Sequence, residues 1–228
     1  DILIPLRAQG WAKLGRDYRW IVDAASMRAD IELLSLMHQP VTLWIQQTTE
    51  PYTPSVYRPV HGFVHRIKAL GADGDLAVYQ LEFSSALFFL GPTRNDRYWI
   101  DHDAREILFD VFARYPQLQG RVHVNIWSTP RVRSYCRQAE SDLNFVHRIL
   151  EDEGWYCYWQ HSEEKPGVAP ETTLMIVDRL HALPDAKAIN YTQNNPKDET
   201  NGLTEWVAVQ TLQSTSYATH SFNYKQPW

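Results

Sequence analysis

The sequence predicts an α+β fold built mainly on antiparallel sheet, and three observations predict it. Apolar and polar residues alternate with period two in segments towards both ends of the chain. Apolar residues recur at spacings of three and four in two segments of the middle region. A glycine-rich turn, rather than a long crossover, joins the two longest predicted strands. The reading comes to about ten strands and three helices, with strands at the two ends and helices in between.

Residues 17–25 (DYRWIVDAA) read as the first strand. A short helix is expected over Ile31–Met37, after Asp30. Pro40 introduces VTLWIQQ, in which Val41, Leu43 and Ile45 face one side and Thr42, Trp44 and Gln46 the other. Residues 49–58 are rich in Pro, Thr and Tyr and read as an exposed loop. Strands over 59–70 and 75–88 follow, joined by GADGD, where Gly71 and Gly74 supply positive φ angles. Ala77, Tyr79, Leu81 and Phe83 share one face of the second of these strands. Gly91-Pro92 closes this first region.

The second region opens with RNDRYWI, a strand ending near Ile100. Asp103-Ala104-Arg105-Glu106 is a capping-box pattern, and Ile107, Leu108, Val111, Phe112 and Tyr115 form the apolar stripe of the helix it starts. RVHVNIW at 121–127 alternates with Val122, Val124 and Ile126 on one face. Residues 135–161 (YCRQAESDLNFVHRILEDEGWYCYWQH) carry the densest signal, in the order strand, capped helix, glycine stop, aromatic strand. Ser141 occupies the N-cap position and Asp142 the first turn. Leu143, Val146, Ile149 and Leu150 give the apolar stripe, and Gly154 supplies the left-handed stop. One feature runs against rule: Glu151, Asp152 and Glu153 crowd the helix C-terminus, where the dipole disfavours negative charge. A neighbouring arginine, with Arg137 or Arg148 the first candidates, is expected to neutralise them. A strand over 172–178 (TTLMIVD) follows, then an irregular polar connection, and finally strands over 205–212 and 217–224.

Composition narrows the function classes. Of the 228 residues, 44% are hydrophobic and 21% charged, the balance of a globular domain. A formal net charge of −5 argues against a general nucleic-acid binder. No apolar run has the length needed to cross a membrane, and no leader-like segment precedes Asp1, although the absent initiator Met suggests a piece of a longer protein. Cys136 and Cys157 are the only cysteines and lie on strands flanking one helix. Neighbours in one sheet are conceivable; a buried reduced pair is the expectation for a cytosolic fold.

Candidate chemistry is sparse. His61 and His65 lie on a strand, where four residues cover roughly 13 Å, too far for two zinc ligands. Asp101-His102-Asp103 reads as a helix start rather than a catalytic cluster. Ser128 and Ser134, near Arg131 and Arg133, lack the glycine-flanked elbow of a nucleophilic serine. Glu151, Asp152, Glu153, Glu163 and Glu164 are candidate carboxylates for glycoside hydrolysis but fit solvated termini and loops better. Arg94, Arg97, Arg131, Arg133, Arg137 and Arg148 are spread over the middle, available for the acidic helix end or for a partner. No catalytic, cofactor-binding or metal-ligating residue is assigned, and the chain is not expected to be an enzyme.

The ordered set of PVTLWI, PVHGFVHRIKALG, LAVYQLEF, the capped helix at 104–115, YCRQAESDLNFVHRILEDEGWYCYWQH and HSFNYK resembles the N-terminal region of the VgrG family, the spike proteins of type VI secretion. The resemblance runs over nearly the whole chain. It implies a tube-type β-barrel over 1–92, an α+β domain over 93–182, an irregular connection over 183–203, and the first strands of a second, truncated barrel over 204–228. It also implies a homotrimer in the full-length protein, seated on a hexameric Hcp tube, with baseplate proteins and effectors or their adaptors as further partners. Neither nucleic acid, cofactor nor stable membrane insertion is implied. Assembly is expected in the bacterial cytoplasm, followed by secretion or injection into a target cell, and the role is mechanical. The baseplate hub of a contractile phage or phage-like particle is the nearest alternative, and a carbohydrate-active hydrolytic domain is an alternative of another class.

Overall fold

The computed structural model describes residues 3–47, 56–162, 171–180, 183, 190–191, 202–212, 214–216 and 218. The chain forms two compact units: 1–47 with 54–186, and 48–53 with 187–228. The predicted division at 92–93 falls inside the larger unit, between its main sheet and its helical part.

The main sheet is antiparallel and five-stranded. It contains β1 (Ile4–Trp11), β2 (Arg19–Ser26), β3 (Pro40–Gln47), β4 (Val56–Asp73) and β5 (Leu76–Ser84), in the order β1-β2-β5-β4-β3. β4 is 18 residues long and shifts register against β5 between Val64 and Arg66 and again between Ala69 and Gly71. Such bulges bend a strand and add twist, so the sheet curls. The inward face is the one the alternation predicts: Ala77, Tyr79, Leu81 and Phe83 are buried, with Leu43, Val60 and Val64 opposite them. Gly62 is needed where β4 meets β5, since a Cβ there would lie 2.6 Å from the Ser84 carbonyl oxygen.

Three readings of this region change. β1 was not anticipated, because IPLRAQGW alternates poorly; it forms by pairing with β2, from Ile4 with Ala25 to Trp11 with Arg19. The helix expected over Ile31–Met37 is a single 3₁₀ turn, Leu33–Leu36, without a side-chain cap. The strand expected to reach residue 88 stops at Ser84. Ser85 caps a 3₁₀ turn over Ala86–Leu90 by accepting from the Leu87 N–H.

The helical part follows. β6 (Arg97–His102) pairs antiparallel with β8 (Arg133–Arg137), so Cys136 lies opposite Tyr98. α1 (Ala104–Phe112) begins at Asp103 with both halves of the capping box formed. β7 (Val122–Asn125) is the short edge of a three-stranded sheet. In it β10 (Thr172–Val177) pairs parallel with β7 and antiparallel with β9 (Tyr156–His161). α2 (Asp142–Glu153) is capped by Ser141, which accepts from the Asn144 N–H, and ends at Gly154 with φ 69°. Its Phe145, Val146 and Ile149 are fully buried together with Ile107 and Leu108 of α1 and Leu174 and Ile176 of β10. Phe145 stacks on Trp99 at 4.9 Å.

In the smaller unit, β11 (Asn190–Tyr191) pairs parallel with β12 (Gly202–Leu203), inside the stretch expected to be wholly irregular. Residues 205–212 carry the apolar pattern of a strand but form none among the described residues, and Trp206, Val209 and Leu212 are 76%, 79% and 99% exposed. A strand needs a ladder partner, and alternation alone does not supply one. The strand predicted over 217–224 lies outside the described residues save 218.

Candidate functional site

The larger unit presents two features a functional role can use: a polar joint between its five-stranded and three-stranded sheets, and an open sheet edge. The joint is built around Trp159 of β9, which packs against the hydrophobic clusters of both parts. Tyr18, just before β2, meets Trp159 edge-on at 5.7 Å and donates from its hydroxyl to the His61 carbonyl oxygen. Two histidines complete it. His61 of β4 and His161 of β9 lie 5.6 Å apart, ring to ring. The His61 backbone N–H reaches His161 Nδ1 at 3.2 Å, so that nitrogen accepts and carries no proton. The Thr172 hydroxyl stands at 3.2 Å from the same nitrogen. The His61 ring has its Nε2 at 3.2 Å from the Ser162 carbonyl oxygen, to which it donates. Its Nδ1 stands 2.9 Å from the Thr42 hydroxyl.

This wiring requires the His161 imidazole to be neutral, whereas the Thr42 hydroxyl can serve His61 Nδ1 as donor or as acceptor. Burial lowers the proton affinity of His61. Burial first, then the neighbouring His61 and Arg58, pull His161 down to about 4. A cavity of about 340 Å³ adjoins the joint, lined among others by Thr42, His61, Arg121 and Trp159.

The open edge is β1. All eight of its residues are exposed, including Ile4 at 55%, Leu6 at 60% and Trp11 at 49%. Gly10 fits β1 to β2, because the Trp20 ring occupies the space where a Cβ would be, with an atom 2.3 Å from it. The Arg19 guanidinium lies 5.9 Å from the Trp11 ring centre. Among the described residues β1 pairs on one side only, with β2, so its other side has no ladder partner among them.

The acidic helix end is neutralised by arginines: of the two first candidates Arg148 acts on Asp152 through its charge, and Arg137 takes no part. Arg16, in the loop after β1, pairs with Glu151; Arg133 of β8 pairs with Glu153. The Tyr135 hydroxyl donates to Glu153 at 2.9 Å. Arg137 instead pairs with Asp142 at the opposite end of α2, both side chains buried at 0% and 1% exposure, and the Tyr115 hydroxyl donates to Asp142 at 2.6 Å. Arg148 serves Glu140 and the Cys136 carbonyl oxygen. Arg133 was among the arginines the sequence offered for this end; chain distance hid Arg16, which lies 135 residues from Glu151.

The other sequence candidates disperse into structure. His65 stacks on Phe88 at 4.0 Å and contacts the Ser84 hydroxyl at 3.0 Å. Asp103 is the helix cap, and His102 pairs with Glu106 at 3.0 Å. The Ser128 backbone N–H donates to Asp178 at 2.8 Å, and Ser134 is exposed on β8. Arg97 holds Asp110 at 3.0 Å, Arg94 forms a backbone bridge to Ser141, and Arg131 is exposed. Glu163 and Glu164 lie outside the described residues. Cys157 is buried, but Cys136 is exposed and in a different sheet, so the expected buried pair is corrected to two separate free thiols. Burial pushes the Cys157 thiol up to about 11, which keeps it protonated. Among the described residues, no group of three or more His, Cys, Asp or Glu side chains is placed to hold a metal ion. No described helix is long and apolar enough to cross a membrane.

A curled antiparallel sheet with an open edge, joined to a small α+β layer, is the frame in which the comparisons with known proteins fall. The family model of the phage tail baseplate hub (GPD) matches residues 12–228. The chain belongs to that family. It is similar to the type VI secretion spike protein VgrG4b of Pseudomonas aeruginosa, 29% identical over 160 residues that cover 70% of this chain and 19% of the relative. It is also similar to VgrG1b of the same organism, 22% identical across the whole chain and 30% of the relative. The chain therefore spans a fifth to a third of the length of these relatives. Among solved structures, the E. coli c3393 protein superposes with a TM-score of 0.69 at 18% identity, covering 81% of this chain and 48% of the other. That protein is a type VI secretion component with structural similarity to the T4 tail proteins gp27 and gp5. The VgrG-containing PdpA–VgrG complex of Francisella matches with a TM-score of 0.54 at 13% identity, covering 78% and 27%. These structures share the fold.

Proposed function

We propose that this chain is the tube-facing N-terminal region of a VgrG-type spike, acting as a scaffold rather than as an enzyme. In the full-length protein, three copies associate as a ring, seat on a hexameric Hcp tube, and travel with it and its effectors into a target cell. The observation that carries the reading is the β1 edge, exposed along all eight residues in a chain similar to VgrG spikes over its whole length. Such an edge costs solubility in an isolated monomer, and association is one way to cover it. The arrangement suits a mechanical part: its polar groups are tied to one another at the joint and at both ends of α2.

Deleting the gene and assaying Hcp in the culture supernatant tests the reading. Loss of secreted Hcp, restored by the wild-type gene, is expected; unchanged secretion in a strain with no second spike gene overturns it. The hub of a contractile phage-like particle is the second reading, favoured by the family match itself. It predicts co-purification with tail-fibre proteins instead of Hcp. Measurable turnover on polysaccharide or peptide panels, abolished by substitution at one site, would contradict both.

A further inference from the structure

We propose that the His61–His161 contact is a proton-sensitive latch between the five-stranded sheet and the β9–β10 layer, closed while the His161 ring is neutral and opened by its protonation. The geometry assigns this role because the latch spans two sheets and its central acceptor is an imidazole nitrogen. His161 Nδ1 takes the His61 backbone N–H of β4, a residue 100 positions away. A proton on Nδ1 turns that acceptor into a donor facing a donor. The contact with the His61 N–H is then repulsive, and the Thr172 hydroxyl must turn its proton to the His61 carbonyl oxygen at 3.5 Å to stay on the same nitrogen as an acceptor.

The charged groups facing His161 do not favour a proton on its ring. β4 presents Arg58 and the His61 ring, both of which oppose a proton on it. Tyr18 presents its ring at 5.4 Å. Glu171, beside β10, shares a cleft with His161 and with His123 of β7, but its carboxylate is drawn to Arg121 at 3.7 Å. His161 binds its proton only near pH 4 in the closed joint, against an ordinary value of 6.5. A histidine whose affinity is lowered by folding contributes stability above its unfolded value. That contribution is lost as pH falls from 6.5 towards 4. Asp17, next to Tyr18, runs the other way: burial raises its carboxyl to about 6, so it takes up a proton in the closed state as acid is added. The His161 effect is therefore isolated by substitution at His161 alone.

The test follows the amide of His61 by hydrogen exchange in the full chain, corrected for the intrinsic pH dependence of exchange, alongside an NMR titration of the His161 ring. The expected result is a ring midpoint far below 6.5 and an amide protection that falls about tenfold per pH unit below 6.5 through His161. In His161→Gln, which retains a neutral acceptor, that component of the slope disappears. An identical slope in wild type and variant, or a ring midpoint at the ordinary histidine value, overturns the latch. If the variant fails to fold, the wild-type ring titration decides alone.

Discussion

The two halves of the larger unit solve the same problem differently. The helical part closes on itself: α1, α2 and β10 bury Ile107, Phe145, Val146, Ile149 and Leu174 completely, and a buried arginine–carboxylate pair fixes the start of α2. The five-stranded sheet buries one face and leaves an edge strand exposed along its length. On the proposed spike role, stability resides in the first and association in the second. Substitutions in the helical part should act on folding, and substitutions along β1 should act on association.

The largest effect is expected at Arg137. Removing one partner of a buried ion pair leaves an uncompensated charge, so Arg137→Ala should cost about 3–5 kcal/mol in urea unfolding. A loss below about 1 kcal/mol would show that Asp142 is adequately held by Tyr115 and the helix start alone. Phe145→Ala should come close behind, at about 3–5 kcal/mol, since it removes the ring stacked on Trp99 and leaves a cavity. The acidic end of α2 makes the contrast within one helix. Arg16 and Arg133 are 43% and 44% exposed in their pairs, so Arg133→Ala should cost about 1 kcal/mol or less, and less still in high salt. A cost equal to that of Arg137→Ala would erase the distinction between the two ends. The smallest effect on folding is expected at the sheet edge. Leu6→Asp should change stability by about 0.5 kcal/mol or less, while abolishing ring assembly of the full-length protein in analytical ultracentrifugation.

What the sequence made legible divides along the same line. The two α-helices were readable because their signals are local. Ser141, Asp142 and Gly154 lie within a few residues of the apolar stripe they bound, and the Asp103–Glu106 capping box spans one turn. The inward face of β5 was readable because period-two alternation survives burial. β1 was not, because its place depends on the ladder offered by β2 and its own side chains bury nothing. The partners of the acidic helix end were legible only in part: Arg133 and Arg148 were in view, but Arg137 is engaged by Asp142 and Arg16 comes from the far end of the chain. The histidine joint was invisible, since the fold brings together residues 100 positions apart. Residues 205–212 show the opposite failure, a strand pattern without a ladder among the described residues.

The most direct test of the central claim is a cryo-electron-microscopy reconstruction of the full-length protein bound to an Hcp ring. Three copies in a ring on the six-fold tube are expected, with the outer edge of β1 covered by a neighbouring chain. A reconstruction in which that edge faces solvent in every copy would contradict it.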